Sequence, residues 1–261
     1  GANQRWGIGM DEKGERLAAA TGRAIKIWNI ADGKEIFNYP IKQFTSMAYD
    51  PKGKWLAHSH GKAIDLIDSK TGKISFTLPD DGGNRQSLAF HPDGKVLAVS
   101  RRDGKTRLWD LANRKQAGEL YAFGSNAVTY SPDGRWLADH SEGQLRVWEL
   151  PFREHVLFTY GAYTQQIAWS PDSKLIAAAL GKAPGIPGNI YVWDIPGKKR
   201  VLELKGHQNT VSAVVFSPDG KMLASSGEGD GGAQDTSIRF WDLANGRELL
   251  KNEAHKSNVF H

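Results

Sequence analysis

One phrase recurs along this chain: a four-residue turn of the form Ser-Pro-Asp-Gly, an apolar run, a loop, and a second apolar run closing on Trp and a polar residue. Its fullest form is FSPDGKMLASSGEGDGGAQDTSIRFWD at 216–242. The same order stands in AWSPDSKLIAAALGKAPGIPGNIYVWD (168–194), TYSPDGRWLADHSEGQLRVWE (129–149) and AFHPDGKVLAVSRRDGKTRLWD (89–110). It is more worn in AYDPKGKWLAHSHGKAIDLID (48–68) and GMDEKGERLAAATGRAIKIWN (9–29). The fourth place of the turn holds Gly14, Gly53, Gly94, Gly134, Ser173 and Gly220. The closing aromatic is Trp28, Trp109, Trp148, Trp193 and Trp241, with Ile67 standing in once. The period is about forty residues, and repeats of that length decide the architecture before any local propensity does.

A unit of that size cannot bury its own apolar faces and must stack on its neighbours, so all 261 residues are expected to form one domain. The repeats run over approximately 1–39, 40–80, 81–120, 121–159, 160–205 and 206–254, with a partial seventh at 255–261. Its tail, AHKSNV at 254–259, matches GHQNTV at 206–211. Within each unit the apolar runs have strand length and are bounded by turn formers. In the last, Val211 to Phe216 precedes the turn at Ser217–Gly220, and Met222 to Ser225 and Ile238 to Trp241 follow it. A second turn at Ala244–Arg247 then leads into a fourth run from Glu248. Proline presets φ in such a turn and glycine accepts the left-handed corner. Four short antiparallel strands repeated radially make an all-β propeller of four-stranded blades. A helical solenoid is excluded, because no segment sustains a 3.6-residue apolar period.

The SPDG turn, the LAS run and the closing IRFWD, preceded by Gly206-His207, resemble the WD40-repeat family, in diverged form, across all six units. TolB-like propellers also use SPDG turns, but the Trp-Asp, Trp-Glu and Trp-Asn closures favour WD40. The resemblance implies a hydrogen-bonded set in the sixth unit made of His207, a strand serine (Ser225 or Ser226), Asp235 and Trp241. The histidine place elsewhere is held by Gly1, Pro40, Asp81, Tyr121 and Tyr160, and the aspartate place by Gly22, Gly61, Asp103 and Glu142 in the first four units. The set is therefore expected to be complete once only. Six blades could close as a ring with a spare tail, or be six-sevenths of a seven-bladed ring, in which case open edges would favour self-association.

Composition narrows the function. There are no cysteines, so thiolate metal sites, disulfides and cysteine nucleophiles are excluded. No apolar run reaches the length of a membrane span, and no membrane partner is expected. The first residues, GANQRWGIGM, lack the pattern of a signal peptide, and a cytoplasmic location is slightly favoured. The net charge of +5 is scattered, and read as solvated surface rather than a nucleic-acid footprint. No nucleophile elbow, Walker loop, dinucleotide-binding fingerprint or His-Glu-x-x-His motif occurs. His58 and His60 alternate on a strand and point the same way, with His140 and Glu142 in the matching place two units on. Two local ligands fall short of a metal site, and the oxygen-rich 228–235 stretch lacks EF-hand spacing. The expectation is no catalytic residue, no metal and no cofactor.

What remains is a binding face. Relative to 100–105, the fifth and sixth units carry insertions at 182–188 and 227–234, and both fall between the second and third strands. Insertions gathered at one end of a repeat protein mark a binding face. The loops leading into the first strands, at that same end, carry Arg5, Phe44, Arg85, Phe123 and Tyr163. Aromatics and arginines are the residues that dominate interface energies. The sequence thus reads as a non-catalytic scaffold docking a protein or peptide there. The alternative is a propeller with a small-ligand or metal pocket near His58 and His60.

Overall fold

The structure, a computed structural model, describes residues 7–11, 13–21, 23–41, 46–60, 63–79, 87–101, 103–121, 127–141, 143–151, 155–159, 163–181, 188–227 and 235–253. The chain forms two compact units, Gly1–Tyr130 and Ser131–His261. The first holds β1 (Ile8–Met10), β2 (Arg16–Thr21), β3 (Ala24–Asn29) and β4 (Glu35–Pro40), then β5 (Ser46–Tyr49), β6 (Trp55–Ser59), β7 (Ala63–Asp68) and β8 (Ile74–Pro79). It continues with β9 (Ser87–Phe90), β10 (Val96–Ser100), β11 (Lys105–Asp110), β12 (Lys115–Tyr121) and β13 (Ala127–Tyr130). The second holds β14 (Trp136–Ser141), β15 (Gln144–Glu149) and β16 (His155–Thr159), then β17 (Thr164–Trp169), β18 (Leu175–Leu180), β19 (Ile190–Asp194) and β20 (Lys199–Leu204). Last come β21 (Val211–Phe216), β22 (Met222–Gly227), β23 (Ile238–Asp242) and β24 (Glu248–Asn252). Strands pair in chain order, four to a sheet, into six antiparallel sheets: the blades of a WD40-type propeller, with no helix among the described residues.

The recurring turn folds through its own side chains. In Ser131–Gly134 the Ser131 hydroxyl donates to Asp133 (2.6 Å) and accepts from the Trp136 N–H (3.0 Å), while Asp133 accepts from the Arg135 N–H (3.0 Å). The turns at 170 and 217 repeat this set. The fourth residue has φ of +73° at Gly134 and +69° at Gly220, a conformation glycine takes without steric cost. Ser173 takes it too, at +62°, and its hydroxyl accepts the Asp133 N–H (3.0 Å) of the preceding turn. That bond offsets the strain of a non-glycine residue in the left-handed region.

The Asp after the closing Trp has a separate task. Asp110 accepts the N–H groups of Ala112 (2.9 Å) and Asn113 (3.1 Å), and Asp242 accepts that of Ala244 (2.9 Å). Each starts the turn from the third strand to the fourth, as short polar side chains do by bonding backbone two residues on. Asn29 does the same for Ala31. Opposite the closing residue the third-to-fourth register slips by one residue in every sheet but that of β13–β16, as at Val192/Trp193 and Phe240/Trp241, a bulge that sharpens the local twist.

Sheets stack through the alternating residues of their second and third strands. In the first unit Ala57, Ile64, Leu66 and Leu78 meet Leu88, Phe90, Leu97, Val99 and Trp109 of the next sheet. In the second unit Ala177, Ala179, Ile190 and Val192 meet Val214, Phe216, Leu223 and Trp241. Trp109, Trp148, Trp193 and Trp241 are all buried on third strands. Each indole removes an area worth about 4–6 kcal/mol from water as an upper bound, which is why this place is rarely anything else.

Candidate functional site

In the second unit, the end of the last sheet that carries the loop between β22 and β23 holds a buried polar relay. Asp235 is ionised and can only accept, so His207 Nδ1 donates to it (3.0 Å), as does the Gln208 N–H (2.7 Å). The neutral imidazole then accepts at Nε2 from the Ser225 hydroxyl (2.8 Å), whose oxygen receives the Trp241 indole N–H (2.9 Å). The partners leave one tautomer and one direction of donation. Of the two serines the sequence offered, Ser225 joins this set; Ser226 pairs with Ser212 instead (2.9 Å). Burial pushes the His207 pKa down to about 4, against the opposing pull of the Asp235 charge. Burial works to raise that of Asp235, but it is outweighed by donation from the Ser237 hydroxyl and the Gln208 N–H, which bring it down to about 2. Gly227 ends β22 beside this set because a Cβ there would run into the Asp235 carbonyl and the His207 ring. His207, Ser225, Asp235 and Trp241 are all buried, so their side chains tie the strands together and offer nothing to a ligand.

In the first unit, the place two residues before the closing aromatic departs from the other sheets. It holds Lys26, Arg107, Arg146, Tyr191 and Arg239 elsewhere but Asp65 here, in the same unit where Ile67 replaces Trp. Asp65 is buried and accepts from Thr77 (2.7 Å) and the Tyr39 hydroxyl (3.3 Å), while His60 Nε2 lies 3.1 Å away. Burial and the Asp65 charge both raise the Tyr39 pKa. The His58 and His60 rings are 5.5 Å apart, but His58 is buried in the sheet. Among the described residues no group of three or more His, Asp or Glu side chains could hold a metal ion. His140 is not the counterpart of His58: Trp55 and Trp136 open their strands in the same register, which aligns His58 with Asp139. Matching the two loops by their glycines misplaces it, because the glycine stands one place later in the fourth repeat, in a loop of the same length. Asp139 is fully buried beside Arg146 (2.9 Å), and burial pushes its carboxyl up to about 7 against the pull of the guanidinium. Sequence reasoning missed both carboxylates; the visible sign was an acid at an otherwise basic or apolar place.

Of the residues expected to contact a partner, Tyr163 lies just before β17 and is 57% exposed. Arg5, Phe44, Arg85 and Phe123 lie outside the described residues, as do 182–187 and 228–234 of the two insertions and the start of a seventh repeat. An aromatic that was not foreseen as a contact residue, Tyr121, ends β12 at the corresponding end of its own sheet, 71% exposed, with the Lys105 ammonium 5.5 Å from its ring centroid.

Comparison with known proteins agrees with this architecture. The family described as "WD domain, G-beta repeat" matches residues 72–110 and 198–242. A WD repeat-containing protein of Synechocystis, sll1491, is 30% identical over 164 residues, 61% of this chain and 32% of that protein. Protein groucho of Drosophila melanogaster is 36% identical over 73 residues, 28% of this chain and 9% of its own length. Ribosome assembly protein 4 of Chaetomium thermophilum is 42% identical over 65 residues, 24% of this chain and 11% of its own. The chain spans a third or less of the length of these curated relatives. With matching turns, closing Trp residues, four-stranded blades and one full polar relay, the chain carries repeats of the WD40 family.

Proposed function

We propose that this chain is a non-catalytic scaffold that docks a protein or peptide at the end of its blades carrying the second-to-third-strand loops. The observation that carries this reading is the exposure of Tyr163 in a fold whose third-strand tryptophans are buried. Tyr supplies a large contact area at a low conformational-entropy cost, and a buried interface anchor of this type is a common hot spot. The loops joining strands at this end change without disturbing the Trp and SPDG positions that hold the blades, so they are free to specify a partner. A relative named for ribosome assembly is in keeping with a role in multiprotein complexes. Phe44, Phe123 and Tyr163 serve as apolar anchors, and Arg5 and Arg85 pair with acidic groups.

The test is affinity capture with the parent chain, followed by titration of the captured partner against Phe123→Ala/Tyr163→Ala. A loss of about 30-fold or more in affinity with an unchanged urea midpoint is expected for two hot-spot anchors. A partner that binds this variant as well as the parent, but is lost on Trp136→Ala beside an SPDG turn, places the site at the opposite end.

A further inference from the structure

The internal repeats provide a control for each strand position, and the place two residues before the closing aromatic departs from it once. Four of the other five repeats put a cation there and meet it with an acid of their own chain: Lys26 with Glu35 (2.7 Å), Arg107 with Asp103 (3.3 Å), Arg146 with Asp139 (2.9 Å) and Arg239 with Glu248 (2.7 Å). In the fifth repeat the place is Tyr191, with the Arg200 guanidinium 4.3 Å from its ring centroid. The second repeat reverses the sign. Its residue is Asp65, and among the described residues no Lys or Arg pairs with that carboxylate. Nor has the cation moved to the fourth strand: where Glu35 and Glu248 stand opposite the closing Trp, the second repeat sets Ile74 opposite Ile67.

We propose that the Asp65 cluster receives an arginine side chain of the protein partner, which supplies from outside the cation that other repeats carry themselves. The carboxylate lies just under the surface: its side chain is 8% exposed, beneath the exposed Thr77 and the half-buried Tyr39 and His60. Oδ1 accepts the Thr77 hydroxyl at 2.7 Å, but Oδ2 has only the Tyr39 hydroxyl at 3.3 Å, long for such a bond. His60 Nε2 stands 3.1 Å from Oδ2, off the line of a hydrogen bond. An ionised acceptor in that position gains most from a charged donor. Arginine fits better than lysine, because its planar fork matches a carboxylate and stacks on an aromatic face, here the Tyr39 ring, once His60 swings aside. His60 follows β6 in the hairpin between second and third strands, so the cluster lies at the loop-bearing end of its sheet. The proposal rests on the reading that a protein docks at that end.

The experiment titrates the 261-residue chain with N-acetylarginine amide, N-acetyllysine amide and N-acetylnorleucine amide, following the His60 imidazole and the Tyr39 ring by NMR. The arginine probe should shift both saturably, with a midpoint on the order of 10 mM. The lysine probe should bind about threefold more weakly or worse, and the norleucine probe should shift neither. Asp65→Asn keeps the shape of the acceptor and should raise the arginine midpoint about tenfold or more. His60→Ala clears the side chain from Oδ2 and should lower that midpoint about twofold, read at Tyr39, a gain that a merely structural cluster would not give. Three probes that bind alike, or an arginine midpoint unmoved by both variants, overturns the proposal. So does a captured protein partner whose affinity is unchanged by Asp65→Asn; that result leaves the scaffold reading standing, which Phe123→Ala/Tyr163→Ala tests without touching this cluster.

Discussion

Replacing Asp235 with Ala removes one carboxylate and strands several donors together. The His207 ring loses its 3.0 Å partner, the Gln208 N–H its 2.7 Å partner, and the Ser237 hydroxyl and N–H lose theirs. Arg239, 3.5 Å away, loses part of its counter-charge. A hydrogen bond to an ionised group contributes about 1.5–3 kcal/mol, but neighbouring bonds do not add, and the shared vacancy can admit water. Breaking a buried charged set by deleting one partner costs about 3–5 kcal/mol, and that is the expected loss here. Asp103 is the comparison, because it occupies the same place in the third repeat. Its side chain is 39% exposed, and it holds the Lys105 N–H (3.0 Å) and Arg107 Nη2 (3.3 Å). Solvent weakens such pairs, so Asp103→Ala should cost about 1 kcal/mol or less. Urea melts at pH 7, read by tryptophan fluorescence, give both numbers under identical conditions. Losses within about 1 kcal/mol of each other would refute the claim that one repeat alone carries a complete relay.

Two further groups should give opposite pH signatures. His207 has its folded pKa depressed to about 4, so the unfolded chain binds the extra proton first and stability is lost as pH falls from about 6.5 through 4; His207→Gln removes that slope in midpoint-against-pH measurements. Asp139 has its folded pKa raised to about 7, so its contribution is fully present below about 4 and is lost as pH rises toward 7; Asp139→Asn flattens that limb. Ser173→Gly relieves a left-handed residue but gives up an acceptor, and should stay within about 1 kcal/mol of the parent in a urea melt. Ser173→Ala keeps the strained φ and loses the acceptor, so it should be the less stable of the two, and the reverse order would refute the compensation.

The repeat, its turns and its closing Trp residues were legible because each is set by chemistry within a few residues. Serine, aspartate and glycine at fixed offsets bond their own backbone, whatever the rest of the chain does. The relay was legible through family resemblance, but the choice between Ser225 and Ser226 was not. It depends on which of two alternating side chains faces the indole, and the strand register decides that. The Asp65 cluster draws on β4, β7, β8 and the residue after β6, and the pairing of Asp139 with Arg146 spans a hairpin. Such contacts exist only once register is known. The misplacement of His140 has the same origin: a loop glycine can shift by one place without changing the loop's length, so it does not fix the register of the strand before it.

The bonds inside the SPDG turns run almost wholly between residues of one turn and the strand it opens. Ser217, Asp219 and Met222 satisfy one another within six residues, and the Asp242 turn does so within five. A tandem duplication of such a unit therefore delivers its corners ready-made, and leaves selection to refine only two flat faces. The fifth repeat shows what happens when a corner drifts: Ser173 reaches out of its own turn to the Asp133 amide, and the drift is tolerated because the neighbouring copy presents the same amide in the same place.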